Sequence, residues 1–316
     1  PLAGFRPGQH LPLRFTLADG SVAERFYSLS DAALDTPTRY RISVKRLAET
    51  PQNAAGQVST HINDALGEGD IVQARMPAGR FTLPTRHDAP IVLIAGGIGI
   101  TPFLSLLETL AATGAQTMPE IHLIHANRNR ATHAFAARLK ALEALLPRLE
   151  VVDVYSEPQA GDALGRDYDA DGYVDDRLIP ADWIARRARF YLCGPAPMMT
   201  QVRERLTARG VFDFEIFSEA FTSPAPVDRA GLSAQPVTLK RSGVSFTWTP
   251  EQHSILDSAA AQGIELPSGC RAGQCESCAL PLVAGRVQTA VATDALGDDL
   301  CLTCQAVPLT PVELDA

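Results

Sequence analysis

The chain has 316 residues and a net charge of −8, with 46% hydrophobic and 20% charged residues. This composition is typical of folded globular proteins, and the length allows two or three domains. The acidic charge argues against a nucleic-acid partner, because phosphate binding needs a basic face. No apolar stretch of about eighteen residues occurs, so no membrane partner is expected. The opening segment PLAGFRPGQH has no features of a signal peptide, so a cytoplasmic location is expected.

Residues 1–87 have the pattern of a small antiparallel β-barrel. Short β-prone stretches are divided by Gly, Pro and Asp: HLPLRFTLA, RFYSLS, RYRISVKRL, DIVQARMPAG and RFTL. Such short strands separated by turn-forming residues are typical of barrels.

Residues 88–222 alternate between strand-like and helix-like segments. The strand-like runs are APIVLIAGG, EIHLIHANRN, LEVVDVYSE and RARFYLCGPA. The helix-like runs are TPFLSLLETLAAT, ATHAFAARLKALEALL and PAPMMTQVRERLTARG. This alternation predicts an α/β domain with a parallel sheet.

The rest of the chain divides into a linker and a third domain. Residues 223–235 are rich in Pro, Ala and Ser without periodicity, which predicts a linker. Residues 236–316 begin with a predicted hairpin, VTLKRSGVSFTWTP, and a short predicted helix, SILDSAAAQG, and continue into a cysteine-rich loop.

The cysteines of this last segment predict an iron–sulfur site. Cys270, Cys275 and Cys278 have the C-x4-C-x2-C spacing of plant-type [2Fe–2S] ferredoxins, which add a distant fourth cysteine. Two irons need four thiolates, and both Cys301 and Cys304 are candidates for the fourth. Structural zinc held by C-x2-C pairs and a disulfide frame are the alternatives.

Two turns of the α/β segment indicate a nucleotide site. The segment AGGIGITPFLSLL follows a predicted strand, and its glycines allow the backbone to approach a pyrophosphate at the start of a helix. The segment YLCGPAPMM repeats the order of strand, turn and helix. Both turns follow strands, where open α/β sheets bind ligands. Helix–strand packing alone is the other explanation for such glycines.

Together these turns resemble the G-G-x-G-x-T-P and C-G-P motifs of the ferredoxin–NADP reductase superfamily. The resemblance implies that the nucleotide contacts Gly97, Gly99, Ile100, Thr101, Cys193, Gly194, Pro195 and Met198. It also implies that Cys193 lies near the nicotinamide ring, although a core cysteine is the alternative. Arg128 and Arg130 are suited to a 2′-phosphate, but the family favours NADH over NADPH, and both coenzymes stay open.

The first domain resembles the flavin barrel of the same superfamily. RFYSLS resembles its R-x-Y-S motif, which implies that Arg25 contacts the flavin phosphate, Tyr27 packs along the flavin, and Ser28 lies near the reactive N5 region. The same resemblance, through RFYSLS, ISVKR, GQVSTHI and FDFEIF, extends the flavin-binding set to Phe26, Leu29, Ser30, Val44, Lys45, Gly56, Val58, Ser59, Thr60 and Phe217. Ordinary barrel core is the alternative for the aromatic residues.

The type of barrel bears on the type of flavin. It is most similar to the flavohaemoglobin barrel, which implies FAD, whereas dioxygenase reductases with this domain order use FMN. Family barrels usually have a strand before the segment FRPGQ. Its absence here suggests a fragment or a domain of a longer fusion.

The cysteine segment also resembles a known family. LTCQAVP is similar to the ferredoxin segment L-T-C-x-A-x-P, which implies that Cys304 binds iron and that Cys301 is a buried thiol. The third domain is therefore expected to be a β-grasp α+β ferredoxin fold, after an antiparallel flavin barrel and a parallel-sheet nucleotide domain.

The implied function is electron transfer. Catalysis by Ser28 and Cys193 would move electrons from NAD(P)H through flavin and a [2Fe–2S] cluster to a protein acceptor, an oxygenase component. A self-contained reductase of small molecules and a non-catalytic redox sensor are the alternatives. The seven histidines are scattered along the sequence, so no oxygen-activating iron site is expected, and none of them is expected to form a facial triad with a nearby carboxylate.

Overall fold

The computed structural model describes residues 2–20, 22–49, 55–114, 118–221, 227–268, 273, 277–289 and 299–316. The chain divides into two compact units, Pro1–Phe221 and Thr222–Ala316. The predicted fold class is confirmed: a sheet-rich N-terminal barrel, a parallel-sheet nucleotide domain and a C-terminal ferredoxin domain.

The N-terminal barrel is built on an antiparallel three-stranded sheet. Its strands are β1 (His10–Thr16), β2 (Val22–Ser28) and β3 (Gln73–Ala74), in the order β2-β1-β3. The register sets His10 opposite Ser28. Alternate apolar side chains of β1 point inward, and the core comprises Phe5, Leu11, Leu13, Phe15, Leu29 and Val58.

Two barrel segments differ from the expected strands. RYRISVKRL makes a single bridge, between Leu29 and Ile42, and RFTL contains no strand. Conversely, the expected phosphate-binding turn GQVSTHI opens a helix, α1 (Gln57–Asp64). The Ser59 hydroxyl holds the start of this helix, because it donates to the Gly56 carbonyl at 3.0 Å and accepts from the Leu47 amide at 3.2 Å.

The nucleotide domain has a six-stranded sheet in which every paired neighbour is parallel. In chain order the strands are β4 (Ile91–Gly96), β5 (Ile121–Asn127), β6 (Leu149–Tyr155), β7 (Ala170–Asp171), β8 (Arg189–Cys193) and β9 (Ile216–Glu219). Their order in the sheet is β7-β6-β5-β4-β8-β9. Every residue of the central strand β4 is buried, which explains its continuous apolar run.

Helices connect these strands: α2 (Thr101–Thr113), α3 (Ala136–Leu145), α4 (Ala181–Ala185) and α5 (Ala196–Ala208). They form separate apolar cores with alternate residues of the sheet. One core joins α2 and α3 to Ile91 and Leu93, and the other joins α4 and α5 to Val92 and Ile94. Strand alternation divides the same apolar run between two cores.

Polar contacts attach the barrel segment to α2. The Ser105 hydroxyl donates to the Asp31 carbonyl at 2.8 Å, and the Ala33 amide donates to the Thr109 hydroxyl at 2.8 Å. Glu108, between them, accepts from Arg41 at 3.1 Å. These contacts are why the flavin segment and the nucleotide segment form one compact unit.

The second unit is a small α+β fold. Its strands are β10 (Gln235–Leu239), β11 (Ser245–Trp248), β12 (Ala279–Ala284), β13 (Val287–Thr289), β14 (Leu300–Leu302), β15 (Ala306–Pro308) and β16 (Val312–Leu314). Five form one sheet in the order β11-β10-β16-β12-β14, and β13 pairs with β15. Helix α6 (Ile255–Ala261) begins at Ser254, whose hydroxyl accepts from the Asp257 amide. The sheet and α6 bury Trp248 completely.

No helix within the described ranges is long and apolar enough to cross a bilayer.

Candidate functional site

Two glycine turns meet at the carboxyl ends of β4 and β8. A 3-10 turn, Gly97–Ile100, joins β4 to α2, and Gly194 follows β8. A Cβ atom added at Gly99 would lie 2.2 Å from the Cys193 carbonyl oxygen, and one added at Gly194 would lie 2.9 Å from Gly96 Cα. The two turns therefore need glycine because their backbones touch.

Gly97 differs from Gly99 and Gly194, because the space beside its Cα is open. Its φ is +53°, and an added Cβ would have only Lys45 Nζ nearby, at 4.0 Å. Lys45 is exposed and makes no ion pair with any described residue. Open space, a nearby ammonium group and the start of α2 fit an anionic group such as a pyrophosphate.

Other residues of the predicted nucleotide set hold the turns rather than face open space. Ile100 and Thr101 are almost fully buried, at 0% and 2% exposure. The Thr101 hydroxyl donates to the Ile98 carbonyl at 3.1 Å. Pro195 and Met198 fill the space beside Gly96, where an added Cβ would lie 2.5 and 2.9 Å from them.

Ser28 reaches from the barrel to the nucleotide sheet. Its hydroxyl donates to Glu219 at 3.3 Å, and Glu219 lies opposite Cys193 in the pairing of β8 with β9. His10 Nδ1 lies 3.8 Å from the other oxygen of Glu219. The two predicted catalytic residues are thus brought together by a carboxylate that the sequence analysis missed.

The surroundings keep the Cys193 thiol neutral. Burial, and then the negative charge of Glu219, raise the pKa of Cys193 well above its ordinary value. The thiol is 0% exposed and also belongs to the core beneath the sheet. A neutral, fully buried thiol does not act as a nucleophile.

The segment FDFEIF, which the flavin resemblance includes, ends in the motif E-x-F at Glu215 to Phe217, and the same motif occurs again at Glu219 to Phe221. The structure places the two copies in different surroundings. In the first copy, Glu215 pairs with Arg187 at 2.8 Å, and Phe217 stacks on Tyr191 with ring centroids 4.8 Å apart. In the second, Glu219 contacts Ser28, and Phe221 is 44% exposed. The second copy, Glu219 to Phe221, therefore lies at the site, and one face of the Phe217 ring is already covered.

The predicted flavin motif presents some side chains outward and buries others. The exposed Arg25 guanidinium donates to the Glu24 carbonyl at 2.8 Å, and burial raises the pKa of Tyr27 while the charge of Arg25 partly opposes this. Leu29 and Ser30 are 0% exposed, and the Ser30 hydroxyl contacts Ser43. Arg25 and Tyr27 fit a phosphate and a ring, whereas Leu29 and Ser30 support the barrel.

The helix α1 segment has one polar atom without a partner. Thr60 Oγ1 is buried and makes no hydrogen bond within the described residues. The two preceding residues already have partners, because the Ser59 hydroxyl donates to the backbone and Val58 packs in the barrel core. An unsatisfied hydroxyl at the start of a helix fits an anionic ligand. Val44 and Phe26 are partly buried, and Phe26 packs edge-on against His10.

The end of β5 carries the arginines expected to affect coenzyme choice. Arg130 lies 3.6 Å from Asp162 and 3.8 Å from Asp167, so two carboxylates already neutralise it. Arg128 is exposed and makes no ion pair within the described chain. The segment that follows β5 in sequence has no nearby carboxylate, but the loop after β6 supplies Asp162 and Asp167.

One expectation is wrong: the histidines are not all separate from carboxylates. His125 on β5, His133 before α3 and Asp153 on β6 have ligand atoms within 4.8 Å of one another. Parallel strands β5 and β6 are paired, and His125 lies opposite Asp153 in their register. Sequence distance concealed this cluster, because only strand pairing joins its parts.

The second unit brings two of the predicted iron ligands together. Cys278 precedes β12 and Cys304 follows β14, and their sulfur atoms are 3.2 Å apart. Thr303 fixes this arrangement, because its amide and hydroxyl donate to the Cys278 carbonyl at 3.2 and 3.1 Å. Cys301 lies within β14, 0% exposed in the apolar core. Cys270 and Cys275 lie outside the described residues.

The spacing of these sulfur atoms fits a shared metal. Two thiolates bound tetrahedrally at about 2.3 Å from one ion are roughly 3.7 Å apart. The observed 3.2 Å is close to this value. Cys278 and Cys304 are 1% and 8% exposed, so a cluster bound there would be shielded from water on this side.

Comparison with known proteins identifies the family. Residues 93–204 match the oxidoreductase NAD-binding domain family, and residues 237–309 match the 2Fe-2S iron-sulfur cluster binding domain family. The flavohaemoglobin-like FAD/NAD-binding domain of nitric oxide dioxygenase from Vibrio cholerae is 30% identical, with a TM-score of 0.59. That match covers 70% of this chain and 86% of that domain. The chain belongs to the ferredoxin–NADP reductase superfamily.

Other relatives cover different parts of this superfamily member. Phthalate dioxygenase reductase is 26% identical with a TM-score of 0.61, over 100% of this chain and 89% of that one. A type IV self-sufficient cytochrome P450 monooxygenase, 23% identical with a TM-score of 0.71, covers 100% of this chain and 37% of its own, and shows the shared fold. The flavohemoprotein of Bordetella pertussis is 37% identical over 218 residues, 69% of this chain and 53% of that protein.

The chain spans about half the length of the curated relatives it matches. Its cofactors, as a superfamily member with a C-terminal ferredoxin domain, are NAD(P)H, a flavin and a [2Fe–2S] cluster. The open side of Gly97, the unsatisfied Thr60 hydroxyl and the adjacent sulfurs of Cys278 and Cys304 are compatible with these three groups.

Proposed function

We propose that this chain is a reductase that passes electrons from NADH through FAD and a [2Fe–2S] cluster to a protein acceptor, an oxygenase component. The observation that carries the proposal is the contact of Ser28 with Glu219, at 3.3 Å, beside Cys193. It joins the barrel to the nucleotide sheet at the point where strands β2, β8 and β9 end.

The bound groups would supply the redox chemistry: NADH gives a hydride, the flavin takes two electrons and releases them singly, and the cluster takes one electron at a time. The protein's own residues bind and orient. The glycine turns hold the pyrophosphate, and Lys45 supplies a positive charge. Glu219 fixes the direction of the Ser28 hydroxyl. Cys193 is fully buried beside Glu219 and would support the site from within the core.

The ligands of the cluster are proposed to be Cys270, Cys275, Cys278 and Cys304. The contact between the Cys278 and Cys304 sulfurs supports Cys304 as the fourth ligand. Cys301 lies instead inside β14, where it is opposite Leu280 of β12 and packs in the core. Cys278 and Cys304 both lie beyond strand ends, before β12 and after β14, where the chain is free to turn toward a shared ion.

NADH is proposed as the coenzyme. Of the two arginines suited to a 2′-phosphate, Arg130 already lies beside Asp162 and Asp167, and only Arg128 has no ion pair within the described chain. Two carboxylates there would also repel a phosphate.

FAD is proposed in preference to FMN. The relative named for FAD and NAD binding is 30% identical, whereas phthalate dioxygenase reductase is 26% identical. Arg25, Tyr27 and the α1 segment would hold the flavin, and Phe221, rather than Phe217, would lie beside its ring. This last assignment follows from the position of Glu219.

The domain limits proposed are 1–87 for the flavin barrel, 88–222 for the nucleotide domain and 236–316 for the ferredoxin domain, with a linker at 223–235. The two family matches lie inside the second and third of these.

A spectroscopic and kinetic experiment tests the function. The purified protein should show flavin and [2Fe–2S] absorbance, and anaerobic mixing with NADH should bleach the flavin first and then the cluster. NADPH should react at least ten times more slowly. Reduced protein should then pass electrons to a Rieske-type or P450-type oxygenase component. Absence of flavin, or a reduced flavin that never reduces the cluster, would contradict the proposal.

The acceptor assay distinguishes the alternatives. Steady NADH oxidation with a quinone or nitro compound, but none with protein acceptors, would indicate a self-contained reductase. Negligible NADH oxidation with every acceptor would indicate a redox sensor.

A further inference from the structure

Three side chains behind the nucleotide turn form a buried polar cluster. His125 and His133 are 0% and 1% exposed at their side chains, and Asp153 is 22% exposed. His133 Nε2 lies 3.3 Å from Asp153 Oδ1, and His125 Nδ1 lies 4.0 Å from the same oxygen. The three ligand atoms all fall within 4.8 Å of one another.

The facing atoms have no hydrogen-bond partner within the described chain. His125 Nδ1, His133 Nε2 and Asp153 Oδ1 are each buried and unsatisfied. Native proteins seldom leave three buried polar atoms unsatisfied in one place, unless an ion or water that binds there completes them. Asn127, two residues after His125 on the same face of β5, also has both amide atoms buried and unsatisfied.

The outer atoms of both imidazoles are, by contrast, engaged. His125 Nε2 lies 3.0 Å from the Gly97 carbonyl oxygen, so this nitrogen carries the proton and donates. Nδ1 is then a bare lone pair that points into the cluster. His133 Nδ1 lies 2.9 Å from the Tyr155 hydroxyl, which leaves Nε2 facing Asp153. Metal-binding histidines typically have this arrangement, with the outer ring N–H held by a carbonyl or another polar group.

We propose that His125, His133 and Asp153 bind one divalent transition-metal ion, for which zinc is the best match. Two imidazoles and one carboxylate form a common zinc ligand set, with bonds of about 2.0–2.2 Å and ligand atoms roughly 3.4 Å apart. The 3.3 and 4.0 Å separations need only small side-chain movements to meet that geometry. The partly exposed Asp153 provides the entry side and leaves room for a water as fourth ligand.

The position of the site assigns it a structural role. His125 joins the metal to the Gly97 carbonyl, so the ion would fix the backbone of the nucleotide turn from behind. It carries no electrons, since zinc has no accessible redox change. Nothing in this inference depends on turnover of NADH or on the acceptor.

Metal analysis of the intact protein tests the proposal. Full-length protein with its cluster in place is treated with a mild chelator, equilibrated with Zn²⁺, desalted and analysed for zinc and iron. We expect one zinc per chain at unchanged iron content, and a higher thermal unfolding midpoint. Calorimetric titration with Zn²⁺ gives the dissociation constant.

Variants identify the ligands. Asp153→Asn keeps the shape of the side chain and should weaken zinc binding at least tenfold, as should His133→Gln. Tyr155→Phe removes only the partner of His133 and should weaken binding about 10- to 100-fold. His122→Gln is the matched control, because His122 is on the same strand but pairs with Glu120 and Glu150.

Several results would overturn the site. The first is wild-type protein that binds no stoichiometric zinc, and the second is an Asp153→Asn variant that binds zinc as tightly as the wild type. The third is zinc that is gained only as iron is lost, because the ion would then be bound by the cysteines. If His133→Gln fails to fold, the Asp153→Asn and Tyr155→Phe variants still decide.

Discussion

Glu219 connects the R-x-Y-S motif of the barrel, through Ser28, with the C-G-P motif of the nucleotide domain, through Cys193. It accepts from Ser28, lies opposite Cys193, and has His10 3.8 Å away. The sequence offers two equivalent E-x-F motifs, and only the pairing of β8 with β9 brings the second one to the barrel. A carboxylate at this point orients a hydroxyl and keeps the neighbouring thiol protonated, two effects that depend on its charge.

Replacing Glu219 with Gln tests this role. The amide keeps the shape but loses the charge, so the Ser28 hydroxyl and the Cys193 thiol lose their fixed relation. We expect flavin reduction by NADH to slow about 10²-fold, the lower end for loss of a positioned acid–base group. Flavin content should stay unchanged. Anaerobic stopped-flow spectroscopy measures the rate.

Glu215→Gln provides the comparison. Glu215 belongs to the other E-x-F motif and pairs with Arg187 at 2.8 Å. It should cost some stability while leaving the rate of flavin reduction unchanged. If both variants slow the reaction equally, Glu219 has no special place in the site.

At the scale of secondary-structure elements, the glycine turns after β4 and β8 act as one part. Their backbones are in contact, so neither loop can accept a side chain at the contact points. The helices α2 and α5 start from these turns, and their first residues are therefore held at fixed positions for a nucleotide.

Gly99→Ala should disrupt this contact. The new Cβ would lie 2.2 Å from the Cys193 carbonyl oxygen, so one turn must move. We expect a loss of about 1–3 kcal/mol in the free energy of unfolding, and a raised KM for NADH. Gly67→Ala is the control, since its nearest atom would be 3.9 Å away. Equal stability of the two variants, measured by denaturant unfolding, would refute the close packing.

The barrel segment, α2 and α3 are joined by one carboxylate. Glu108 on α2 accepts from Arg41 of the barrel and Arg138 of α3. Burial acts to raise the pKa of Glu108, but the hydrogen bonds and charges of Arg138 and Arg41 outweigh it, so the pKa is lowered. A carboxyl whose pKa is lower in the folded state stabilises the fold above its unfolded pKa, about 4.3. This stabilisation is lost as the pH falls below that value.

Glu108→Gln should therefore show a pH-dependent loss of stability. At pH 7 we expect the variant to lose about 2 kcal/mol, the range for hydrogen bonds to charged groups. The difference from wild type should shrink as the pH falls below about 4.3. Release of flavin fluorescence during unfolding reports this unit, and Glu68→Gln, an exposed carboxylate, is the control. A difference that is constant with pH would exclude the charge as its origin.

At the scale of the whole molecule, two compact units divide the chemistry. The motifs proposed to bind flavin and nucleotide belong to residues 1–221, and the proposed iron ligands belong to the other unit. A defect in one unit should leave the other intact, because each has its own core.

Cys304→Ser is the variant that separates the units. It should remove the cluster absorbance, while NADH still reduces the flavin at the wild-type rate. Reduction of a protein acceptor should fall to background, because the proposed path passes electrons to the acceptor through the cluster. Cys301→Ser should keep both the cluster and the transfer. If the cluster is lost only in Cys301→Ser, then Cys301, and not Cys304, is the fourth ligand.

The sequence by itself determined the order of elements, the glycine turns and the cysteine spacing, because strand runs, helix periods and ligand spacings are local patterns. It did not determine which barrel segments pair: RYRISVKRL is β-prone, yet only Ile42 makes a bridge. Pairing depends on a neighbouring strand that the local pattern does not contain.

Only the tertiary structure decided the contacts between distant residues. Ser28 and Glu219 are 191 positions apart, and the His125, His133 and Asp153 cluster is assembled by the pairing of β5 with β6. The choice of Glu219 over Glu215 follows from the register of β8 with β9. Such contacts depend on strand order and register, which hydrophobic burial and backbone pairing fix only when the whole sheet forms.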